Sequence, residues 1–365
     1  MKLGMFMMPN HPPHRTYADA HAHNLDTLSF ADRLGYVEGW VGEHFTSKRE
    51  PVPCPDILIA QAFVQTKNIR LGAGAFLLPY HVPAELAARI SYLDHISGGR
   101  FMAGIGAGGL PTDYDLFGVD GAHGQHREMM NESIDLMVKL WTSTGPFKHQ
   151  GKYYKGGRTA GIPELGLQFH LQPLTKPHPT IAIAGLNEYS PTLKFAGKRG
   201  FTPMSLAWSP DYLLTHWQAY KEGCEAAGRP AKRSEWRVGV ETYIAPTDAE
   251  ARKRAIEGEI GNSWRTYLLP MLKEWGMLGA CKHDQGVPDS DVTVEYLVDK
   301  VWIVGSPRTV SEKLGAMREK VGQFGCLLQV IYDHLDEFEA YRYSLTALAE
   351  EILPVFAEPS QAAAE

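Results

Sequence analysis

The sequence predicts a single α/β domain, a (β/α)8 TIM barrel. Two observations carry that expectation. Eight short β-type runs alternate with longer helical patterns almost from end to end. Several of those runs also end in glycine and alanine (AGAFLLP, GIGAGG, IAIAG), which lets backbone approach a ligand at the catalytic face of a barrel. With no linker, internal repeat or low-complexity segment, residues 1–355 read as one domain, followed by a frayed tail at 356–365.

The first run, 3–8, leads into a helix over 18–34. Residues 37–44 then precede a helix near 56–66, 69–78 precede one near 84–96, and 101–106 precede an amphipathic helix over 127–141. The rhythm breaks at 145–178, where KHQGKYYKGG and LQFHLQPLTKPHP predict an inserted hairpin or loop. It resumes with 180–184 and a helix from Ser190, where serine before Pro191 is a strong start signal. Strand 202–207, helix 211–227 and strand 237–245 follow. A second irregular insertion at 258–300 comes before a helix at 310–321, strand 327–332 and a last helix at 338–353.

Composition narrows the function. A net charge of −6 and the absence of any long Lys/Arg run argue against nucleic acid or an anionic membrane as partner. The apolar part of MKLGMFMMPNHPP is too short for a signal segment, so the expected location is cytoplasmic. Cys54, Cys224, Cys281 and Cys326 lie far apart without a CxxC, which predicts reduced thiols. HPPH and HAH (His11, His14, His21, His23) lack metal-ligand spacing and matching partners, so no metal is expected.

Three stretches could carry chemistry. GIGAGG is a literal G-x-G-x-x-G, but LPTDYDLFG follows with a proline and no helical period, against a pyrophosphate-binding helix. The free N–H groups after Ser190 suit a phosphate, or only cap a helix. WVGEHFT sets Glu43 beside His44 at a strand end. Strand alternation allows one to face a ligand while the other supports it. Histidine is the usual general base at neutral pH, and the plainer alternative is a strand-end histidine bonded to a loop carbonyl.

Taken together, KLGMF…PP, the helix ending LGY, WVGEHFT, RLGAGAFLLPYHVP, ISYLDHISGGRF and VGSPRTV resemble the bacterial luciferase-like flavin monooxygenase family over nearly the whole chain. WVGEH, GIGAG with Pro111, and the GKYY hairpin most resemble its limonene and diketocamphane monooxygenases. The resemblance implies reduced FMN (FMNH2) at the C-terminal strand ends, with His44 catalytic and Glu43 near the flavin. It implies a non-proline cis peptide between Gly74 and Ala75 beneath the ring. Gly106 and Ala107 belong to the cofactor site, and Ala107 stands where luciferase itself has a phosphate-binding arginine. Gly185, Tyr189 and Ser190 form the phosphate segment, with Arg127 or the N–H groups after Ser190 meeting its charge. Ser205 and Trp208 contact the ring or wall the substrate pocket.

The implied chemistry takes FMNH2 from a separate flavin reductase. O2 adds at C4a, and the peroxyflavin converts a ketone to an ester or lactone, or an alkene to an epoxide. Met7, Met8, Phe76 and Trp208 suit a small apolar, terpenoid-like substrate. A homodimer is expected. The rivals are an F420-dependent hydride-transfer enzyme on the same barrel and a non-enzymatic flavin-binding luciferase-like protein.

Overall fold

The computed structural model describes residues 1–167, 171–206 and 208–356. Position 207 of the expected sixth strand, positions 168–170 of the first insertion and the tail from 357 onward lie outside them. The strands are β1 (Lys2–Asn10), β2 (Glu38–Val41), β3 (Arg70–Leu77), β4 (Phe101–Gly106), β5 (Phe147–Gln150), β6 (Lys155–Arg158), β7 (Thr180–Gly185), β8 (Thr202–Ser205), β9 (Arg237–Ile244), β10 (Ile303–Gly305) and β11 (Cys326–Tyr332). Eight of them pair in parallel in the order β9-β11-β1-β2-β3-β4-β7-β8, and β8 pairs with β9 to close the barrel. All eight coincide with runs expected from the sequence. The short β10 pairs alongside β9, and β5–β6 form the antiparallel hairpin of the first insertion.

Helices α1 (Tyr17–Arg33), α2 (Pro55–Gln65), α3 (Pro83–Ile96), α4 (Pro111–Phe117) and α5 (Gln125–Thr142) accompany the first half of the barrel. The second half has α6 (Pro191–Arg199), α7 (Pro210–Ala226), α8 (Asp248–Glu257), α9 (Glu259–Ser263), α10 (Leu269–Glu274), α11 (Val294–Lys300), α12 (Pro307–Val321) and α13 (Phe338–Ala347). Proline opens α2, α3, α4, α6, α7 and α12, where its missing N–H costs no helical bond. Two expectations change here. The stretch after GIGAGG is helical, because Pro111 stands at a helix start and does not break one. The second insertion is largely helical, with a π-helical turn at Trp264–Leu268 joining α9 to α10.

Strand alternation sorts the barrel interior into layers. At its floor, Glu38 accepts hydrogen bonds from Arg237 at 3.0 and 3.1 Å and from Trp40 Nε1 at 3.1 Å. Above it pack Phe6, Trp40, Met102, Ala182, Met204 and Leu328. Higher still the inward positions are small, among them Gly74, Gly104, Gly106 and Gly239, and the interior opens. The floor pair is buried on the Glu38 side, so removing one partner strands a charge. Arg237→Met is expected to cost about 3 kcal/mol, read as a lower urea midpoint with unchanged m-value. A midpoint equal to wild type would show that the layer contributes nothing.

Candidate active site

β2 stops at Val41, so Glu43 and His44 stand on the loop beyond it and the alternation argument does not reach them. The chain instead turns them to separate tasks. Glu43 is buried, and its carboxylate accepts the Leu77 N–H at 2.7 Å and His81 Nε2 at 3.0 Å. Arg89 lies against His81 Nδ1 at 3.3 Å, and arginine can only donate. His81 therefore carries its proton on Nε2 and donates it to Glu43. The carboxylate thus pins the end of β3, just after the cis peptide found at Gly74–Ala75, as the resemblance implied.

His44 faces the open end of the barrel. Its Nδ1 lies 3.5 Å from Asp113 Oδ2 and its Nε2 3.6 Å from Glu50 Oε2, both ion-pair distances. Asp113, at the first turn of α4, is fixed by the Thr46 N–H at 2.9 Å and the Thr46 hydroxyl at 2.5 Å. Glu50 accepts from the Tyr267 hydroxyl at 2.8 Å. Burial pulls the imidazole pKa down, but Glu50, Asp113 and Glu43 outweigh it, and the net shift is upward. The same pairing holds Asp113 below the usual carboxylate range despite its burial. The carboxylates around His44 therefore favour its protonated form more than water would.

Above the strand ends lies a cavity of about 240 Å³, walled by Phe6, Met8, Leu186, Leu206, Trp208, Val330 and Tyr332, with His44, Glu50 and Glu241 as its ionisable groups. The second insertion roofs it with Leu268, Met271, Leu272 and Trp275. That roof is tied to the His44 loop by Arg49, which donates to Glu259 and Thr266 at 2.7 Å each.

The glycines of GIGAGG follow from packing. A Cβ on Gly104 would sit 2.2 Å from the Ala73 carbonyl oxygen, and Gly108 has φ +86° beneath the Tyr80 hydroxyl. Gly109 faces the cavity with open space where a side chain would stand. Gly106 and Ala107 are half-buried at the β4 end, with a Gly106 Cβ 3.5 Å from Ala75. Bare backbone around an apolar cavity fits a flat ring such as that of FMN, and the start of α6 beside Gly185 fits an anionic tail. There Ser190 caps Leu193 N–H, and Thr192 donates to the Ala184 carbonyl at 2.8 Å.

Other expected site residues go elsewhere. Ser205 is buried outside the barrel bore, between Trp236 Nε1 at 2.8 Å and His216 Nδ1 at 3.0 Å. Alternation makes Met204 and Leu206 the inward neighbours. Tyr189 has φ +46° and turns its hydroxyl to Glu222, away from the strand ends. Met8 and Trp208 reach the cavity, whereas Met7 and Phe76 belong to the core behind the strands. Arg127 is exposed at the start of α5. His11 pairs with Asp333 at 2.7 Å and His21 with Gln61, and no metal-holding cluster occurs among the described residues. Asp113, Glu50, His81, Glu241 and Tyr332 escaped the sequence reading. Glu241 alone left a signal, a lone charge in the apolar run VGVETYI.

The sequence profile of the luciferase-like monooxygenases matches residues 1–323. The chain is 36% identical to 2,5-diketocamphane 1,2-monooxygenase 1 of Pseudomonas putida, covering 97% of this chain and 99% of that one. It is 29% identical to limonene 1,2-monooxygenase of Rhodococcus erythropolis, covering 94% and 84%. The structure superposes with TM-score 0.93 and 34% identity, over 99% of both chains, on the oxygenating constituent of 3,6-diketocamphane monooxygenase from Pseudomonas putida in complex with FMN, a type II Baeyer-Villiger monooxygenase. With the barrel, the cis peptide and the His44 loop in place, the chain belongs to the luciferase-like monooxygenase family of flavin-dependent enzymes.

Proposed function

We propose that this chain is the oxygenating component of a two-component system. It takes FMNH2 from a separate flavin reductase and places one atom of O2 into a small apolar ketone or alkene. The observation that carries this reading is the apolar cavity over the glycine-lined strand ends, with His44 at its edge and its pKa raised by Glu50 and Asp113. When bound, reduced FMN supplies the two electrons that activate O2. The chain's own residues do the rest. Glu43 fixes the β3 end beneath the ring, Gly106 and Ala107 leave room beside it, and Gly185 and Ser190 with the α6 N–H groups receive the phosphate. The roof excludes water, and His44 moves a proton at Nε2. Tyr189 and Ser205 drop out of this set.

An F420-type cofactor would bring a long polyanionic tail, and no Lys or Arg lines the cavity among the described residues. Anaerobic titration with FMNH2 tests the placement. Gly74→Val puts a Cβ 2.9 Å from that of Trp40 and 3.2 Å from the Phe6 ring. It is expected to weaken FMNH2 binding at least about tenfold, a loss of about 1.4 kcal/mol, in a protein that still folds. Unchanged affinity would count against the ring lying there.

A further inference from the structure

Glu241 is a buried carboxyl at the mouth of the barrel, and nothing in the flavin reading uses it. It points inward from β9 into an otherwise apolar wall. The Trp208 indole N–H donates to its Oε2, and its Oε1 lies 2.9 Å from the Tyr332 hydroxyl. Trp264 Nε1 donates to that hydroxyl at 2.7 Å.

An indole N–H can only donate, so both ends of this chain have a fixed direction. With Glu241 ionised, the Tyr332 hydroxyl donates to it and no donor is left over. With Glu241 neutral, there is one O–H more than the network can accept. Either Glu241 donates to Tyr332 and frees the tyrosine O–H, or Glu241 keeps its own O–H free. Each arrangement leaves one hydrogen-bond donor for a ligand in the cavity that Glu241 and Tyr332 line.

We propose that the Glu241–Tyr332 pair is the specificity group of this cavity, donating one hydrogen bond to the oxygen of a carbonyl-bearing ligand and so selecting apolar ketones over the matching hydrocarbons. The inference rests on the reading of the cavity as the substrate site of an oxygenase. The pair is poised to switch, because burial pushes Glu241 up to about 7 against the pull of its Tyr332 and Trp208 hydrogen bonds. The other titratable groups facing this region are His44 and Glu50 on the loop after β2, and Cys281 in the roof segment. Lys300, Lys313 and Lys320 line a neighbouring cavity that Trp208 and Glu241 also border.

Binding of norcamphor and of norbornane, followed by tryptophan fluorescence at about pH 6 and about pH 9, tests the proposal. Wild type is expected to favour norcamphor about tenfold at the lower pH, the worth of one hydrogen bond, and to lose that preference at the higher. Glu241→Gln keeps an acceptor for Trp208 and gives Tyr332 a permanent donor, so its preference should persist at both pH values. Glu241→Met combined with Tyr332→Phe removes both O–H groups and should show none at either. Equal preference in wild type at both pH values, or preference surviving in the Glu241→Met, Tyr332→Phe double variant, overturns the proposal.

A flavin carbonyl is the other oxygen the pair could serve. In that case FMN affinity measured without ketone would follow pH and fall in the double variant, while the norcamphor preference stayed flat, which also overturns the assignment. FMNH2 titration of the same samples separates the two readings. A pH-switched ketone preference in a protein that does not bind FMNH2 would sink the oxygenase and leave the pair's specificity standing.

Discussion

His44→Ala is expected to lower coupled product formation about a hundred- to ten-thousand-fold, the usual worth of a positioned proton donor, while FMNH2 binding persists. Reducing equivalents should then appear as hydrogen peroxide. The same substitution removes the imidazole that Glu50 and Asp113 share, so stability should fall in a pH-dependent way. The raised pKa of His44 means its pairing stabilises fully below its ordinary 6.5 and is lost as pH rises through the folded value. Asp113, held low, contributes above its ordinary 3.8 and loses that contribution as pH falls through its own folded value. The deficit of the variant is therefore largest between about pH 4 and about pH 6.5 and closes under alkaline conditions. Urea melts across pH check the sign, and a deficit that grows with rising pH would contradict the raised pKa of His44. Near-wild-type coupling would leave the Glu43–His44 stretch a polar patch.

Among the glycines of the barrel strands, Gly104→Ala should be the most disruptive small substitution. Its Cβ would meet the Ala73 carbonyl oxygen at 2.2 Å and Gly74 Cα at 3.3 Å, both backbone that no rotamer change can clear. β3 must move, and with it the Gly74–Ala75 segment. Overpacking of this kind costs about 1–3 kcal/mol, and FMNH2 affinity should fall together with melting temperature. Gly109→Ala, in the same motif but with open space around its Cβ, should leave the melting temperature unchanged. Equal behaviour of the two variants would refute the close-approach explanation of GIGAGG.

The barrel was legible because each of its strands is a compact apolar run set off by helical spacing. Pro111 misled because a proline at the first helical position resembles a breaker when only the sequence is read. His44 was legible through its motif, but its carboxylate partners were not. Asp113 and the Glu50–Tyr267 contact come from distant segments, and they raise the pKa of the imidazole. Ser205 entered through the resemblance alone, and strand alternation sends Met204 inward and Ser205 to Trp236. The helical roof was hidden because the π-turn and short helices of 258–300 present no single period.

The account stands most directly on where the oxygen goes. The anaerobic protein–FMNH2 complex is mixed with isotopically heavy O2 and an apolar ketone such as norcamphor, and product is analysed by mass spectrometry. One heavy atom per product molecule, with product approaching the FMNH2 consumed, is the result predicted. Oxidation of FMNH2 entirely to hydrogen peroxide across a panel of apolar ketones and alkenes would contradict it.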